Sequence, residues 1–321
     1  MPLPFLPLLR AAALALAACV ATGAQAADDY PARPVETIVP YSTGGGVSAM
    51  ARAFAAEAAR LSNGPWLVVN REGAGGVVGF TALARAKPDG YTVAFSPASP
   101  MTNSPFINAN MPFRNEQIVP VCQVFENVFA IAVRPESPIR SVADLVAQAR
   151  ARPGAVAYGH AGPGSIPHMS MGALERETQT RFNAIAYRGD GPLLADTLGG
   201  TLDFSAIAVS SLAGKNLRVL AVFAEQRHPS MPDVPSIAEL GYKAISPGLN
   251  GLFVPAGTPK PVIAYLDGLC RKVTASPTFV ESARTLLQVP QYMDAAKFAA
   301  RIDATYKVHA SLVPDLKLDK N

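Results

Sequence analysis

No run of lysine or arginine stands out in this chain. The electrostatic stripe that marks a nucleic-acid binder is therefore missing, and no nucleic-acid partner is expected. The G-x-S-x-G nucleophile elbow and the G-x-x-x-x-G-K-[ST] phosphate loop are absent as well, which removes two common routes to hydrolysis and nucleotide binding. The four histidines, His160, His168, His228 and His309, are scattered without metal-ligand spacing. No metal and no cofactor is expected, and no acid–base pair or triad assembles on paper. Charged residues are scarce at 16%. With 49% hydrophobic residues, that scarcity means packed cores rather than disorder. The single tryptophan, Trp66, opens a strand-like segment and reads as core.

Long apolar runs are also missing. The longest early one, Ala11 to Val20, is too short to span a bilayer, which takes about 20 residues. It follows Arg10 and precedes Ala24-Gln25-Ala26, the pattern of a secretory leader cleaved after Ala26. Leu16-Ala17-Ala18-Cys19 competes with it as a lipobox that would anchor the chain through Cys19. Either signal places the mature protein in the periplasm. Two cysteines remain beyond it. A disulfide is open to an exported protein, but Cys122 lies in an apolar strand-like run and Cys270 on a helix, so two separate buried thiols are expected.

What the chain does have is a repeated design of strand, glycine-rich loop and helix. Val35, Thr37 and Val39 alternate in a short strand that stops at Pro40. Tyr41, Ser42, Thr43, Gly44, Gly45 and Gly46 follow, and then a helical period places Met50, Ala51, Phe54 and Ala58 on one face. Backbone N–H groups at such a loop, with the positive end of a helix dipole behind them, suit an anion. WLVVN at 66–70 and the glycine-rich 71–79 repeat the design, and YTVAF at 91–95 adds a third strand before the proline-rich loop SPASPMTNSPF. Strands joined by helices imply a parallel sheet with ligands at its carboxyl edge. The apolar stretch 118–133 suits a strand passing from one lobe to the next. Ser141 caps a helix, and 156–174 again reads strand, glycine loop, helix. A helix over Leu193–Leu198 follows the loop Arg188-Gly189-Asp190-Gly191 and stops at Gly199-Gly200. Two α/β lobes with facing loops predict a cleft between them.

Taken in order, these segments resemble the Bug-type substrate-binding receptors of tripartite tricarboxylate transporters. YPARPVETIVPYSTGG (30–45), NREGAGGVVG (70–79), KPDGYT (87–92), SVADLVAQARARPG (141–154), GPGSIPH (162–168), YRGDGPLLADTLGGTLD (187–203), MPDVPSIAELGY (231–242) and PAGTPKPV (255–262) carry the likeness across nearly the whole chain. It implies an α/β, two-lobed periplasmic-binding-protein fold of type II-like form. The leader would occupy 1–26, the first lobe 27–123 and 247–321, and the second lobe 124–246. It further implies an exported monomer, not an enzyme, that captures a small organic carboxylate and delivers it to membrane transporter subunits. The implied site comprises Tyr41 to Gly46, Ser48, Gly75, Gly76, Ser96, Ser99 and Asn103 from one lobe, and Gly164, Ser165, His168, Tyr187, Arg188 and Gly189 from the other. The same fold would also serve a protein that presents its ligand to a membrane sensor. A hydrolase using Ser165 and His168 lacks an orienting acid.

The chain departs from the family pattern at three places. Ser48 and Ile207 stand where acids are usual, and Leu249-Asn250 where an aromatic pair is usual. A pocket without fixed negative charge is therefore expected, one that prefers plain carboxylates to amino acids of equal length. Asp190, a loop acid, is expected to be solvated or paired with Arg188, and it is the residue that would supply a counter-charge if an amino acid bound.

Overall fold

The structure, a computed structural model, describes residues 30–62, 64–245 and 247–315. The leader, its Ala24-Gln25-Ala26 site and Cys19 lie outside the described residues. No helix among the described residues is long and apolar enough to cross a membrane.

The first lobe begins with β1 (Val35–Val39), α1 (Gly46–Leu61), β2 (Trp66–Asn70), a 3-10 turn at Ala74–Gly76, α2 (Val77–Ala84) and β3 (Thr92–Pro97). β1 lies between β2 and β3 and pairs with both in parallel, as crossover helices require. Its alternating valines and its Thr37 are all buried because helices cover both faces of the sheet. The proline-rich stretch is not a loop but two helical turns, α3 (Ser99–Thr102) and α4 (Ser104–Ile107). Pro100 and Pro105 sit in their first turns, where a missing N–H costs nothing.

The apolar run 118–133 is two strands. β4 (Ile118–Asn127) stays in the first sheet and β5 (Phe129–Val133) belongs to the second, so the chain changes sheet at Val128 rather than at the expected 123/124 break. The second sheet is filled by β6 (Ala157–His160), β7 (Asn183–Ala186), β8 (Phe204–Ala208) and β9 (Arg218–Phe223), in the order β7-β6-β8-β5-β9. Helices α5 (Val142–Ala151), α6 (Ile166–Thr178) and α7 (Asp190–Gly199) connect them. The chain then returns as β10 (Gly248–Pro255), α8 (Lys260–Ala275), α9 (Pro277–Thr285), β11 (Pro290–Met293) and α10 (Ala295–Asp315). β10 inserts between β3 and β4, giving the order β11-β4-β10-β3-β1-β2. Both sheets are mixed rather than wholly parallel. β10 runs antiparallel to β3 and β4, and β5 antiparallel to β8 and β9, because these strands enter from the opposite lobe.

Each sheet carries apolar packing on both faces. Phe54, Phe95 and Phe125 fill one side of the first sheet, and Phe80, Phe253 and Phe298 the other. Tyr158, Phe182 and Phe204 cluster on one side of the second. The two crossings between lobes lie side by side, with Asn127 opposite Gly248 at the ends of paired strands. A small cluster of Ile107, Met169, Ala173, Ile245 and Val313 also bridges the lobes beside the end of α10.

The expectation of two free thiols fails. Cys122 in β4 and Cys270 in α8 form a disulfide, with Cα atoms 6.6 Å apart. The pair is 148 residues apart in sequence and meets only because the returning α8 packs against β4.

Candidate functional site

The glycine loops of the two lobes meet at a cavity between the sheets. It is lined from the first lobe by Tyr41, Gly45, Gly46, Val47, Ser48, Pro97 and Ser99, and from the second by Phe129, Ala161, Ser165, Ile166, Pro167, Asp190 and Ala208, with Asn127 at the crossing. Its volume is about 20 Å³, room for one or two waters. The lobes are thus closed on each other.

Pro40 ends β1 and releases the chain into the first loop. Asn70, at the end of β2, holds that loop by donating to the Tyr41 carbonyl at 2.7 Å and to Ser48 Oγ at 3.0 Å. Tyr41 is buried. It donates its phenol hydrogen to the Gly75 carbonyl at 2.9 Å and lies 3.3 Å from Ser99 Oγ. Burial pushes the phenol up to about 12, so it stays a neutral donor. Gly75 has φ +62°, and a Cβ there would sit 2.2 Å from the Pro163 carbonyl of the other lobe, so glycine alone permits this close approach. A Cβ on Gly76 would press on Pro100 and the Tyr41 hydroxyl. Thr43 and Gly44 are exposed at the rim.

The second lobe answers with three segments. In the loop after β6, the Gly164 N–H donates to His168 Nδ1 at 3.3 Å, and the Gly164 carbonyl accepts from Asn103 Nδ2 at 2.8 Å. The His160 and His168 rings stack with centroids 4.2 Å apart. The Gly162 carbonyl, 3.0 Å from His160 Nδ1, can only accept, so that nitrogen carries the proton. Burial, with His168 adding to it, pushes His160 down to about 3, and the ring is neutral. Ser165 Oγ is buried without a hydrogen-bond partner among the described residues. It therefore makes no bond to His168, and the nucleophile–base contact a hydrolase would need is not formed.

In the loop after β7, Tyr187 turns away from the cavity and donates to Asp196 Oδ2 at 2.5 Å. Arg188 is exposed and lies 3.9 Å from Glu72 across the lobe boundary. Gly189, with φ +143°, passes so close to Ser42 that a Cβ would meet its Oγ at 2.6 Å, and the Ser42 N–H donates to the Arg188 carbonyl at 3.1 Å.

The third segment corrects two expectations. Asp190 is neither solvated nor paired with Arg188. It opens α7, three residues before the helix expected at Leu193, and is 7% exposed. Its Oδ2 accepts from Ser211 Oγ at 2.6 Å and from the Ala208 N–H at 3.2 Å, while Oδ1 has no partner among the described residues. Burial pushes the carboxyl up to about 6, against the two hydrogen bonds that lower it. The pocket consequently does contain an acid, though Ser48 and Ile207 are not acidic. Ser48 is held by Asn70, and Ile207 is buried in β8. Ser211 also accepts from the Gly46 N–H at 2.7 Å, so it ties the start of α1 to Asp190 across the cleft.

Of the residues implicated by the sequence, Tyr41, Gly45, Gly46, Ser48, Ser99 and Ser165 reach the cavity wall. Ser96 donates to its neighbour's carbonyl on Pro97, and Asn103 is buried between Gly164 and His309. Asn127, Ala208 and Ser211 were not implicated, and Asp190 only as the residue that would supply a counter-charge if an amino acid bound. Asn127 has both side-chain polar atoms without partners among the described residues. A polar residue closing an apolar strand at a lobe crossing was the one signal that could have drawn attention to it.

Three helices of 16, 13 and 10 residues, α1, α6 and α7, begin at this cavity, and none is capped by the side chain of its own N-cap residue, although Ser211 of the other lobe takes the first N–H of α1. The site therefore concentrates free N–H groups and dipole ends while offering no lysine, arginine or histidine among the described lining residues.

Residues 50–318 match the family described as tripartite tricarboxylate transporter family receptor. Protein BugT of Bordetella pertussis is 34% identical over 263 residues, spanning 80% of this chain and 81% of that one. The UPF0065 protein in the gbd 5' region of Cupriavidus necator is 30% identical over 315 residues, spanning 97% and 96%. Among solved structures, the periplasmic binding protein BugD superposes with a TM-score of 0.86 at 26% identity, over 91% of this chain and 100% of that one.

Proposed function

The chain belongs to the tripartite tricarboxylate transporter receptor family, and on that premise we propose that it is a periplasmic receptor that closes on a small organic carboxylate and presents it to a membrane transporter of that type. The observation that carries this reading is the meeting of three helix N-termini, none capped by its own N-cap side chain, at one buried cavity. Each contributes N–H donors and a partial positive charge, which together hold an anion without a buried cation. In the cavity wall, Ser165 adds a buried hydroxyl without another partner among the described residues. Residues at the first helix and at Ser165 must come together to bind, so binding and closure are one event.

The role needs no chemistry on the ligand, and Ser165 Oγ makes no hydrogen bond to His168. Delivery to a transporter follows from the family rather than from the cleft. The test is a thermal-shift screen of carboxylates of three to six carbons against the purified protein. A binder raises the melting temperature by mass action. If no carboxylate in that range raises it, the reading is wrong.

A further inference from the structure

We infer that Asp190 forms a cation subsite inside the cleft, so that the ligand is an amino acid whose carboxylate meets the helix N-termini and whose ammonium meets Asp190 Oδ1. This rests on the carboxylate reading above and specifies its substrate class.

The two oxygens of Asp190 have different work. Oδ2 is committed to the protein, accepting from Ser211 and from the Ala208 N–H. Oδ1 has no protein partner among the described residues, although the residue is more than nine-tenths buried and lines the cavity. A buried carboxylate oxygen left unmatched is costly, and sites that carry one are completed by what they bind. The groups acting on the carboxyl are its own burial and two neutral donors, with no cation among them, and burial dominates by raising its proton affinity. The nearest basic residue in its own loop, Arg188, is exposed and directed to Glu72. The neighbouring Tyr41 stays neutral.

A second carboxylate brought beside Asp190 with nothing between them would be repelled. An ammonium on the ligand removes that repulsion, satisfies Oδ1 and neutralises the one acid among the described lining residues. A hydroxyl would satisfy the oxygen but leave the charge, so a hydroxy acid falls between the amino acid and the plain carboxylate. The expectation that plain carboxylates are preferred, which followed from the missing acids at 48 and 207, is thereby reversed: the acid enters from a different loop.

The experiment is calorimetry on pairs that differ only at the amino group: alanine with propionate, aspartate with succinate, glutamate with glutarate, and 2-aminoadipate with adipate. Malate serves as the hydroxyl member. In at least one pair the amino acid binds the unaltered protein about tenfold or more tighter than its partner. Asp190→Asn weakens the amino acid about tenfold and leaves the plain carboxylate unchanged or tighter. Asp190→Ser, which keeps an oxygen for the Ala208 N–H, gives the same pattern if the asparagine variant does not fold. Plain carboxylates binding as well as or better than their amino partners overturn the cation subsite and leave the carboxylate receptor standing. A hydroxy acid binding tightest overturns the choice of a cation. Failure of every carboxylate, amino or plain, overturns both readings.

Discussion

Gly46 and Ser211 are 165 residues apart and belong to opposite lobes, yet the N–H that opens α1 donates to the Ser211 hydroxyl at 2.7 Å. That hydroxyl passes its own hydrogen to Asp190. One short chain of hydrogen bonds thus reports to Asp190 whether the lobes are together.

Ser211→Ala breaks that chain and strips a donor from a buried carboxylate, while removing only one exchangeable group. A hydrogen bond to a charged acceptor is worth about 1.5–3 kcal/mol. Ligand affinity should fall about tenfold or more, which corresponds to about 1.4 kcal/mol. Titration calorimetry reads this directly, and equal affinities for the two proteins would show that the lobes close without the Ser211 link.

Gly45 has ordinary extended backbone, φ −87° and ψ 160°, so a side chain there is tolerated by the fold. Even its Cβ would lie 3.3 Å from Asp190 Cβ, and branching adds atoms where the other lobe arrives. Gly45→Val should keep its circular dichroism spectrum and lose binding tenfold or more, about 1.4 kcal/mol. Native affinity in this variant would place the ligand away from the start of α1.

Closure should be visible in solution. Small-angle scattering with a saturating ligand should give a smaller radius of gyration than without one, because the two strand crossings at Asn127 and Gly248 leave the lobes free to rotate about a common axis. Superimposable curves would mean that the cleft stays closed throughout.

The pH dependence of stability isolates Asp190. Its carboxyl is raised from an ordinary value near 3.8 to about 6 in the fold. The protonated form is the one the fold favours, so its contribution is fully present below about pH 4 and is lost as pH rises through about 6. The shift is on the order of 2–3 kcal/mol across that window. Buried His160 and His309 are held below their ordinary range and push the opposite way, gaining stability as pH rises toward 6.5. The difference between unaltered protein and Asp190→Asn cancels them. Thermal melts should show the variant relatively more stable at pH 8 than at pH 4, and a difference that does not change with pH would refute the burial of an ionisable Asp190.

The disulfide joins β4 to the returning α8. Replacing both Cys122 and Cys270 with alanine should cost about 2–5 kcal/mol, seen as a lower denaturation midpoint, with ligand affinity retained because neither residue lines the cavity. An unchanged midpoint would mean that packing of α8 alone secures that face.

The glycine loops and their helices were legible because they are local. Val39-Pro40, three glycines and the switch to a helical period all lie within one short stretch, and the same signs recur at 159–166. Local signs also misled. Pro100 and Pro105 read as loop residues, although at helix starts proline fits without loss. Asp190 could not be read from its surroundings in sequence. A carboxylate between two glycines looks solvated, and its burial depends on Ser211 and on the other lobe pressing over it. The Cys122–Cys270 bridge was hidden for the same reason, since β10 and α8 return to the first sheet only after the whole second lobe has been laid down.

That return sets an order of assembly. The second sheet is made from one unbroken stretch, β5 to β9, and its strands are complete once residue 223 has emerged. The first sheet is interrupted at its centre until β10 arrives, because β3 and β4 never pair with each other and β10 must lie between them. A chain truncated after the second lobe would therefore leave two unpaired inner edges in the first, which are templates for aggregation. The last quarter of the molecule is the keystone, and a nascent chain has no finished first lobe, and so no binding site, until that quarter begins to arrive.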